Sequence, residues 1–368
     1  RLCRDWSSDV CSSDLIAFAA RQVGIRLPVV GGAVFGILFG MVAGRLRRPA
    51  SLASGIRFSG RKILQCAIIL LGFDMNVTRI LAVGGQSLSV ILLTVGAAFL
   101  TAFFMSRLLL LRGNAGILIG VGTAICGGSA IAATAPVLGA KDEEVTQAIS
   151  TIFLFNLVAV FLFPVIGRFL GLSDRGFGIW AGAAVNDTSS VVASASAWSQ
   201  TAGNDTALAV ATIVKLTRTL MIIPVSLALS IHVARKSLQK AVDGHSDRRV
   251  ADQPRVQSAS RTVDRSGGQK SGQAGGAGFS FVKTFPWFVL GFVATSLLNS
   301  FVPLPEGLAA AMVRLGKFMI IMALSAIGLS SDLGRLVRSG YKPLLLGLTC
   351  WVAAALVALA VQHGAGLW

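Results

Sequence analysis

The chain has 368 residues, of which 54% are apolar and only 13% are charged, and its mean hydropathy is +0.74. A soluble protein of this length needs more charge to cover its surface, so this composition excludes an ordinary soluble domain. The formal net charge of +17 does not indicate nucleic-acid binding, because the basic residues stand between long apolar blocks. In that position they orient a protein in a lipid bilayer.

The first fifteen residues, RLCRDWSSDVCSSDL, contain no Met and no apolar signal core. They resemble translated sequencing-adaptor read-through, and we expect 1–15 to be an artefact that replaces the true N-terminus and one further helix. Outside this stretch, Cys66, Cys126 and Cys350 each stand alone among apolar residues. We therefore expect no disulfide framework, no metal site and no cofactor.

Ten apolar blocks follow in chain order, and a helix needs about 20 residues to cross the hydrocarbon. Lys and Arg are abundant in the odd-numbered loops and rare in the even-numbered ones, as the positive-inside rule requires if every block crosses and odd loops are cytoplasmic. Re-entrant segments at 115–139 and 177–198 would spoil this alternation. The predicted fold is all-α and polytopic, with about ten transmembrane helices at 29–44, 60–76, 86–108, 115–139, 143–163, 177–198, 204–231, 281–301, 311–330 and 343–363.

One segment, 235–280, interrupts the apolar pattern because it is rich in Ser, Gly, Gln and Arg. Such a composition cannot bury enough surface to fold alone, and we expect a disordered basic linker on the cytoplasmic side. It separates seven spans at 16–234 from three spans at 281–368. Two roles stay open for it, a plain tether or a contact with anionic lipid.

An internal repeat relates two distant parts of the chain. The stretch 72–79 with Gly84 aligns with 328–335 with Gly340 at one constant offset. The two blocks are an odd number of crossings apart, which predicts an inverted repeat of the kind found in secondary transporters. A weaker likeness between 116–139 and 178–198 implies the same orientation if both segments cross.

Two predicted spans carry polar breaks at their centres. Gly127 and Gly128 each cost about 1 kcal/mol relative to Ala in a helix, and such breaks persist in membranes where they line a cavity. Ser129 is placed to cap the second half-helix. Close packing through small residues is the alternative. The second break is the polar run Asn186, Asp187, Thr188, Ser189 and Ser190.

Lys215 and Arg218 lie three residues apart on one face of the next span, at the predicted depth of Asp187. Asp187 needs a partner in hydrocarbon, and these cations are the expected one; snorkelling to the interface is the alternative. Asn156 either joins this polar core or packs. Two cations, one carboxylate and half-helix N-termini make a positive cavity, which favours a small inorganic or organic anion over a cation or a lipid.

No catalytic motif competes with this interpretation, so we expect no enzyme. The predicted binding residues are Gly127, Gly128, Ser129, Asn186, Asp187, Thr188, Ser189, Lys215 and Arg218. Lys215 and Arg218 would bind the anion, and Asp187 would position them or carry a coupling proton. One alternative is a proton- or sodium-coupled cation antiporter built around Asp187. Another is a non-transporting membrane scaffold whose linker recruits a partner.

An ordered set of motifs resembles the YeiH-type family of bacterial inner-membrane proteins, whose members are named as sulfate exporters. The resemblance implies a multi-pass inner-membrane transporter, with "transporter" carrying more weight than "sulfate". Some members have a His-Glu pair where this chain has Asn186-Asp187, which leaves the coupling chemistry open. The motifs are LLGF at 70–73, AICGGSAIAATAPV at 124–137, FGIWAGAAVNDTSSVVA at 177–193, IVKLTRTLMIIP at 213–224, PWF at 286–288, NSF at 299–301, ALSAIGLSSDL at 323–333 and KPLL at 342–345.

Overall fold

A computed structural model describes residues 17–20, 22–23, 32–46, 53–111, 113–222, several positions between 224 and 231, 287–302, 305–330 and 340–368. Every regular element in these ranges is helical, which confirms the all-α prediction. The linker at 235–280 and the opening residues 1–15 lie outside the described residues.

The described helices are numbered in chain order. A π-helical turn, Ser59–Ile63, joins α2 to α3, and a 3₁₀ turn, Gly72–Asp74, follows α3. The helices are α1 Gly32–Leu46, α2 Ala53–Phe58, α3 Leu64–Leu71, α4 Val77–Leu108, α5 Ala115–Ala124, α6 Gly128–Leu138, α7 Asp142–Phe169, α8 Asp174–Ala184, α9 Thr188–Ala202, α10 Thr206–Thr219, α11 Trp287–Phe301, α12 Glu306–Ser330 and α13 Tyr341–Gly364.

Four of these helices are long and apolar enough to cross a membrane by themselves. They are α4, α7, α12 and α13, and their exposed positions carry large apolar side chains such as Phe104, Val165 and Leu356. A soluble protein would not expose such residues along whole helix faces. The apolar helices α1, α5, α6 and α11 are shorter.

The first broken segment, 115–138, is a helical hairpin. If α5 and α6 continued one another, their outer ends would be about 35 Å apart, given a rise of 1.5 Å per residue. Instead, the side-chain amide of Asn114 donates to the carbonyl of Leu138 over 3.2 Å. The backbone N–H of Asn114 also donates to Glu144, at the start of α7. Both ends of this segment therefore lie at the same place.

The second broken segment, 174–202, is built in the same way from α8 and α9. Asp174 at its start accepts hydrogen bonds of 2.7 Å from Trp198 and from Asn204 at its end. Phe177 stacks on Trp198 with ring centroids 4.1 Å apart. The helix α7 joins the two hairpins, and its 28 residues extend for about 42 Å. The hairpins therefore enter from opposite ends of α7.

These hairpins correct two predictions. The segments 115–139 and 177–198 are broken at their centres, as expected, but each folds back on itself, so eight crossings with two re-entrant hairpins replace ten crossings as the prediction. That remaining count stays a prediction. The hairpins also have opposite orientations, since one crossing, α7, lies between them. The positive-inside alternation is weakened as a result, because Lys141 moves to the basic side while Arg168 and Arg175 move to the opposite side.

The helices form two bundles. The small bundle contains α1, α2, α3, α11 and α12, and the large bundle contains α4 to α10 with α13. In the small bundle, a Cβ on Gly40 of α1 would lie 2.3 Å from the carbonyl oxygen of Ser325 on α12. In the large bundle, a Cβ on Gly178 or on Gly182 of α8 would lie 2.8 Å from the nearest atom of α10. Small residues thus let helix backbones approach where lipid provides no hydrophobic drive.

The two bundles meet mainly where hairpin arm α9 contacts α1 and α12. There, Lys317 of α12 forms a 2.5 Å ion pair with Asp205, just before α10. A cavity of about 270 Å³ lies beside this pair, between α9 and α12. In the predicted long-range repeat, Gly72 and Gly328 both pack against backbone of other helices, but 331–339 lie outside the described residues.

Candidate functional site

The tips of the two hairpins, residues 125–127 and 185–187, meet inside the large bundle. A Cβ on Gly127 would lie 3.6 Å from both the Cβ of Asp187 and the side-chain nitrogen of Asn156. The arms α5 and α8 have ten and eleven residues, or about 15 Å each. Since the hydrocarbon is about 30 Å thick, both tips lie near its midplane.

Gly127 makes the first tip possible. Its backbone angles are φ 69° and ψ −128°, a conformation that a residue with a Cβ rarely adopts. The break that the adjacent glycines predicted is therefore confirmed at this position. It ends α5 and starts α6 within three residues.

Lys215 of α10 is completely buried between the two tips. Its ammonium group donates to the carbonyl of Ile125 over 3.0 Å, to that of Val185 over 3.1 Å, and to that of Asn186. An ammonium group has three N–H donors. All three are therefore used, and they tie the first tip to the second.

Arg218, one helical turn further along α10, is also completely buried. Its Nε donates to Ala124 over 3.0 Å, and Nη1 donates to Ala183 over 2.6 Å and to Val185 over 3.3 Å. Nη2 donates to the carbonyl of Thr123. Four hydrogen bonds thus join one guanidinium group to both hairpins.

Both cations therefore lie at the C-terminal ends of α5 and α8. The last carbonyls of a helix have no partner within the helix, and they carry partial negative charge. A charged hydrogen bond contributes about 1.5–3 kcal/mol, so seven of them offset the insertion cost of about 2.5–3.5 kcal/mol for each cation. Lys215 and Arg218 are therefore held inside the protein by these carbonyls and do not snorkel to the membrane interface.

Asp187 has a different partner from the one predicted. Its carboxylate accepts a hydrogen bond from the backbone N–H of Ser189 over 3.1 Å and another from the Ser189 hydroxyl. The carboxylate of Asp187 therefore caps the N-terminus of α9. Within the described residues, no ion pair joins Asp187 to Lys215 or Arg218. The cations donate their hydrogen bonds to backbone carbonyls, and the carboxylate accepts its hydrogen bonds from Ser189.

The N-terminus of α6 has no such cap. Ser129 was expected to supply one, but its hydroxyl contacts the carbonyl of Cys126 over 3.2 Å and the sulfur of Cys126 over 2.7 Å. Gly127 holds the N-cap position and offers no side chain. The backbone N–H groups of Gly128 and Ser129 accordingly have no acceptor in the described part of the chain. Ser129 is exposed at the opening of the tip.

Two amide side chains next to the tips add further unpaired polar atoms. Asn186 is completely buried, and neither atom of its amide has a partner among the described residues. The side-chain oxygen of Asn156 on α7 is buried and unpaired in the same way. Buried polar atoms of this kind normally find a partner. Thr188, beside Asn186 and Asp187, is half-buried.

The structure thus brings all nine predicted residues to the hairpin tips. Sequence reasoning missed the backbone carbonyls of residues 123–125 and 183–186 as the partners of the cations. A signal for them was available, because a break that ends a half-helix leaves its last carbonyls unpaired.

A model of the family described as conserved hypothetical protein 698 matches residues 12–251 and 259–347. The chain belongs to this family. The match covers most of the chain and confirms the YeiH-type resemblance. A UPF0324 membrane protein of Streptococcus pyogenes serotype M6 is 43% identical over 96% of each chain.

Another UPF0324 membrane protein, from Fusobacterium nucleatum subsp. nucleatum, is 40% identical over 96% of each chain. A third, from Streptococcus mutans serotype c, is 39% identical over the same share. These names agree with a membrane protein of the conserved hypothetical protein 698 family and state no substrate. No solved structure matches the chain.

Proposed function

We propose that this protein is a secondary transporter of a small anion across the bacterial inner membrane, where it is a multi-pass protein. The observation that carries the proposal is the N-terminus of α6 at the junction of two opposed hairpins, where the N–H groups of Gly128 and Ser129 have no acceptor among the described residues. Half-helix N-termini near the midplane bind anionic substrate groups in transporters of this construction.

The distribution of charge supports an anion. Lys215 and Arg218 cover the negative ends of α5 and α8, while the positive end of α6 stays open. The two cations and one carboxylate leave a net positive charge around the tips. The donors of both cations already bind carbonyls, so we assign the cations a supporting role in place of the direct anion contact suggested by the sequence. They support the anion through charge and by holding the tips together.

Asp187 supports coupling to a proton. The Cβ of Asp187 would lie 3.6 Å from a Cβ on Gly127, the N-cap residue of α6, and two like charges about 4 Å apart repel by about 4 kcal/mol at an effective dielectric constant of about 20. A bound anion and an ionised Asp187 are therefore poor neighbours. In the proposed cycle, Asp187 binds a proton when the anion binds, and the two cross together.

Sulfate or a related sulfur oxyanion is the proposed substrate class. Such a group needs several donors, and the tips offer the N–H groups of Gly128 and Ser129 with the side-chain nitrogen of Asn186, none of which has a partner among the described residues. A cation antiporter is less well supported, because the carbonyls at the tips already bind Lys215 and Arg218. A non-transporting membrane scaffold is also less well supported, because that role gives no reason for two buried charges at the midplane.

Uptake of labelled sulfate into proteoliposomes tests the proposal. We expect counterflow of sulfate, inhibition by other sulfur oxyanions, and stimulation by an inward proton gradient. Labelled sodium in the same vesicles provides the comparison with a cation antiporter. Sodium counterflow without movement of any sulfur oxyanion would refute the anion assignment.

A further inference from the structure

The carbonyl groups at the hairpin tips form a cage of the kind that binds a metal cation. In transporters with broken helices, unwound backbone carbonyls and half-helix C-termini coordinate the coupling sodium ion or proton. Here the same groups come from two half-helices, α5 and α8, whose C-termini meet at the midplane. The cage consists of the carbonyl oxygens of Thr123, Ala124, Ile125, Ala183, Val185 and Asn186.

This cage holds side-chain cations. The Lys215 ammonium is a compact charge with three oxygen ligands from both hairpins, and the Arg218 guanidinium binds the remaining carbonyls. Both groups are attached to α10 and completely buried. A sodium ion could reach these oxygens only by displacing a side chain of the protein.

We propose that Lys215 and Arg218 are tethered replacements for coupling cations, so that the protein carries its own cations and transports without sodium. This inference rests on the proposed function, which it deepens by naming the coupling. The tethered charges stabilise the meeting of the tips in every state of the cycle. Sodium therefore has no place at the tips, and the proton on Asp187 accompanies the anion.

The cage can be emptied and refilled by chemical rescue. We expect Arg218→Ala to lower the melting temperature of the purified protein by roughly 10 °C, as removal of one buried charge partner does. Guanidinium chloride at tens of millimolar should recover at least half of this loss, while equal sodium chloride or urea should not. For Lys215→Ala, sodium or methylammonium should stabilise the protein, and the bulky N-methylglucamine cation should not.

Arg107→Ala is the matched control, because Arg107 is exposed and its guanidinium lies 4.1 Å from the centre of the Phe103 ring. Guanidinium should not change the melting temperature of this variant. If Arg218→Ala and Lys215→Ala respond no more than Arg107→Ala, the carbonyls do not form a cation cage and the inference is wrong. Purification in the presence of the rescuing cation provides the two variants where they do not accumulate alone.

Wild-type protein supplies a second, independent measurement. Sulfate uptake should be unchanged when N-methylglucamine replaces all sodium, whereas a requirement for sodium would overturn the inference. The two results separate the claims. Rescue by guanidinium in a protein that moves no sulfur oxyanion would support the tethered cations and refute the proposed substrate.

Discussion

At the scale of single residues, Asp187 combines two tasks in one carboxylate. It caps α9 through Ser189, and it lies beside the uncapped N-terminus of α6. The first task needs only an acceptor oxygen, and Asn caps helices about as well as Asp. The second task needs a group that can gain and lose a proton. One substitution can therefore separate folding from coupling.

We expect Asp187→Asn to fold normally and to bind sulfate as tightly as wild type or tighter, because the tips become more positive. Accumulation of sulfate driven by a pH gradient should disappear. The measurements are equilibrium binding to the purified protein and driven uptake into vesicles. Asp142→Asn, at an exposed position on α7, should change neither. Loss of sulfate binding in Asp187→Asn would instead favour a cation site at this carboxylate.

Gly127 determines where the free N–H groups of α6 point. A Cβ here would make only ordinary contacts of 3.4 Å or more, so crowding is not the obstacle. The obstacle is the backbone, since φ is 69° and ψ is −128°. A residue held in such a region costs about 1–3 kcal/mol.

We expect Gly127→Ala to lose about 1–3 kcal/mol of stability and to bind sulfate at least tenfold more weakly, because relief of the strain turns the Gly128 and Ser129 N–H groups away. Gly139→Ala is the control, because Gly139 ends the same hairpin in an ordinary left-handed conformation with φ 59°. It should lose about 1–2 kcal/mol with unchanged sulfate affinity. Equal losses of affinity in both variants would show that the tip geometry is not what binds the anion. Thermal unfolding and equilibrium binding give the two quantities.

At the scale of elements, the two hairpins decide on which side each loop lies. A crossing at 115–139 would put Glu143 and Phe169 on the periplasmic and cytoplasmic sides, respectively. The hairpins reverse both assignments, because each returns to the side from which it entered. Both topologies predict a cytoplasmic linker at 235–280 and a periplasmic Asn204, so these two sites serve as controls in the labelling experiment.

We expect Glu143→Cys to react with a membrane-impermeant thiol reagent only from the cytoplasm, and Phe169→Cys only from the periplasm. Both side chains are exposed, and Phe169 is 90% exposed. The background should lack the native cysteines, since Cys66 is exposed. The opposite labelling pattern would restore the ten-crossing topology and refute the hairpins.

At the scale of the whole molecule, the ion pair between Lys317 and Asp205 lies where the two bundles meet. Lys317 and Asp205 are 39% and 42% exposed, and such pairs contribute only about 0–1 kcal/mol. The pair nevertheless bridges the small bundle to the start of α10, the helix that carries both buried cations. We expect a movement of one bundle past the other to break this ion pair.

We expect Lys317→Met to change stability by less than about 1 kcal/mol and to speed transport by about two- to fivefold, as removal of that much ground-state stabilisation does. The exchanged pair, Asp205→Lys with Lys317→Asp, should return the rate toward wild type. Arg314→Met, on the same helix and exposed, should leave the rate unchanged. An unchanged rate in Lys317→Met would mean that the bundles do not move apart here. Initial uptake rates and thermal unfolding are the measurements.

The amino-acid sequence determined the membrane class and the position of the site. Apolar blocks and their basic flanks fix that class locally, because each charged residue in hydrocarbon has its own cost. The glycines at 127–128 and the polar run at 186–190 mark the breaks for the same reason. All nine predicted site residues lie at the tips.

Only the tertiary structure decided between crossing and hairpin. An arm of ten or eleven apolar residues suits either arrangement, and the difference lies in contacts such as Asn114 with Leu138, which are 24 residues apart. The hydrogen-bond partners of Lys215 could not be predicted from the sequence for a related reason. A buried ammonium group accepts either a carboxylate or several carbonyls, and carbonyls belong to every residue. The breaks in the sequence indicate that half-helix carbonyls are left unpaired, but only folding decides which of them reach Lys215.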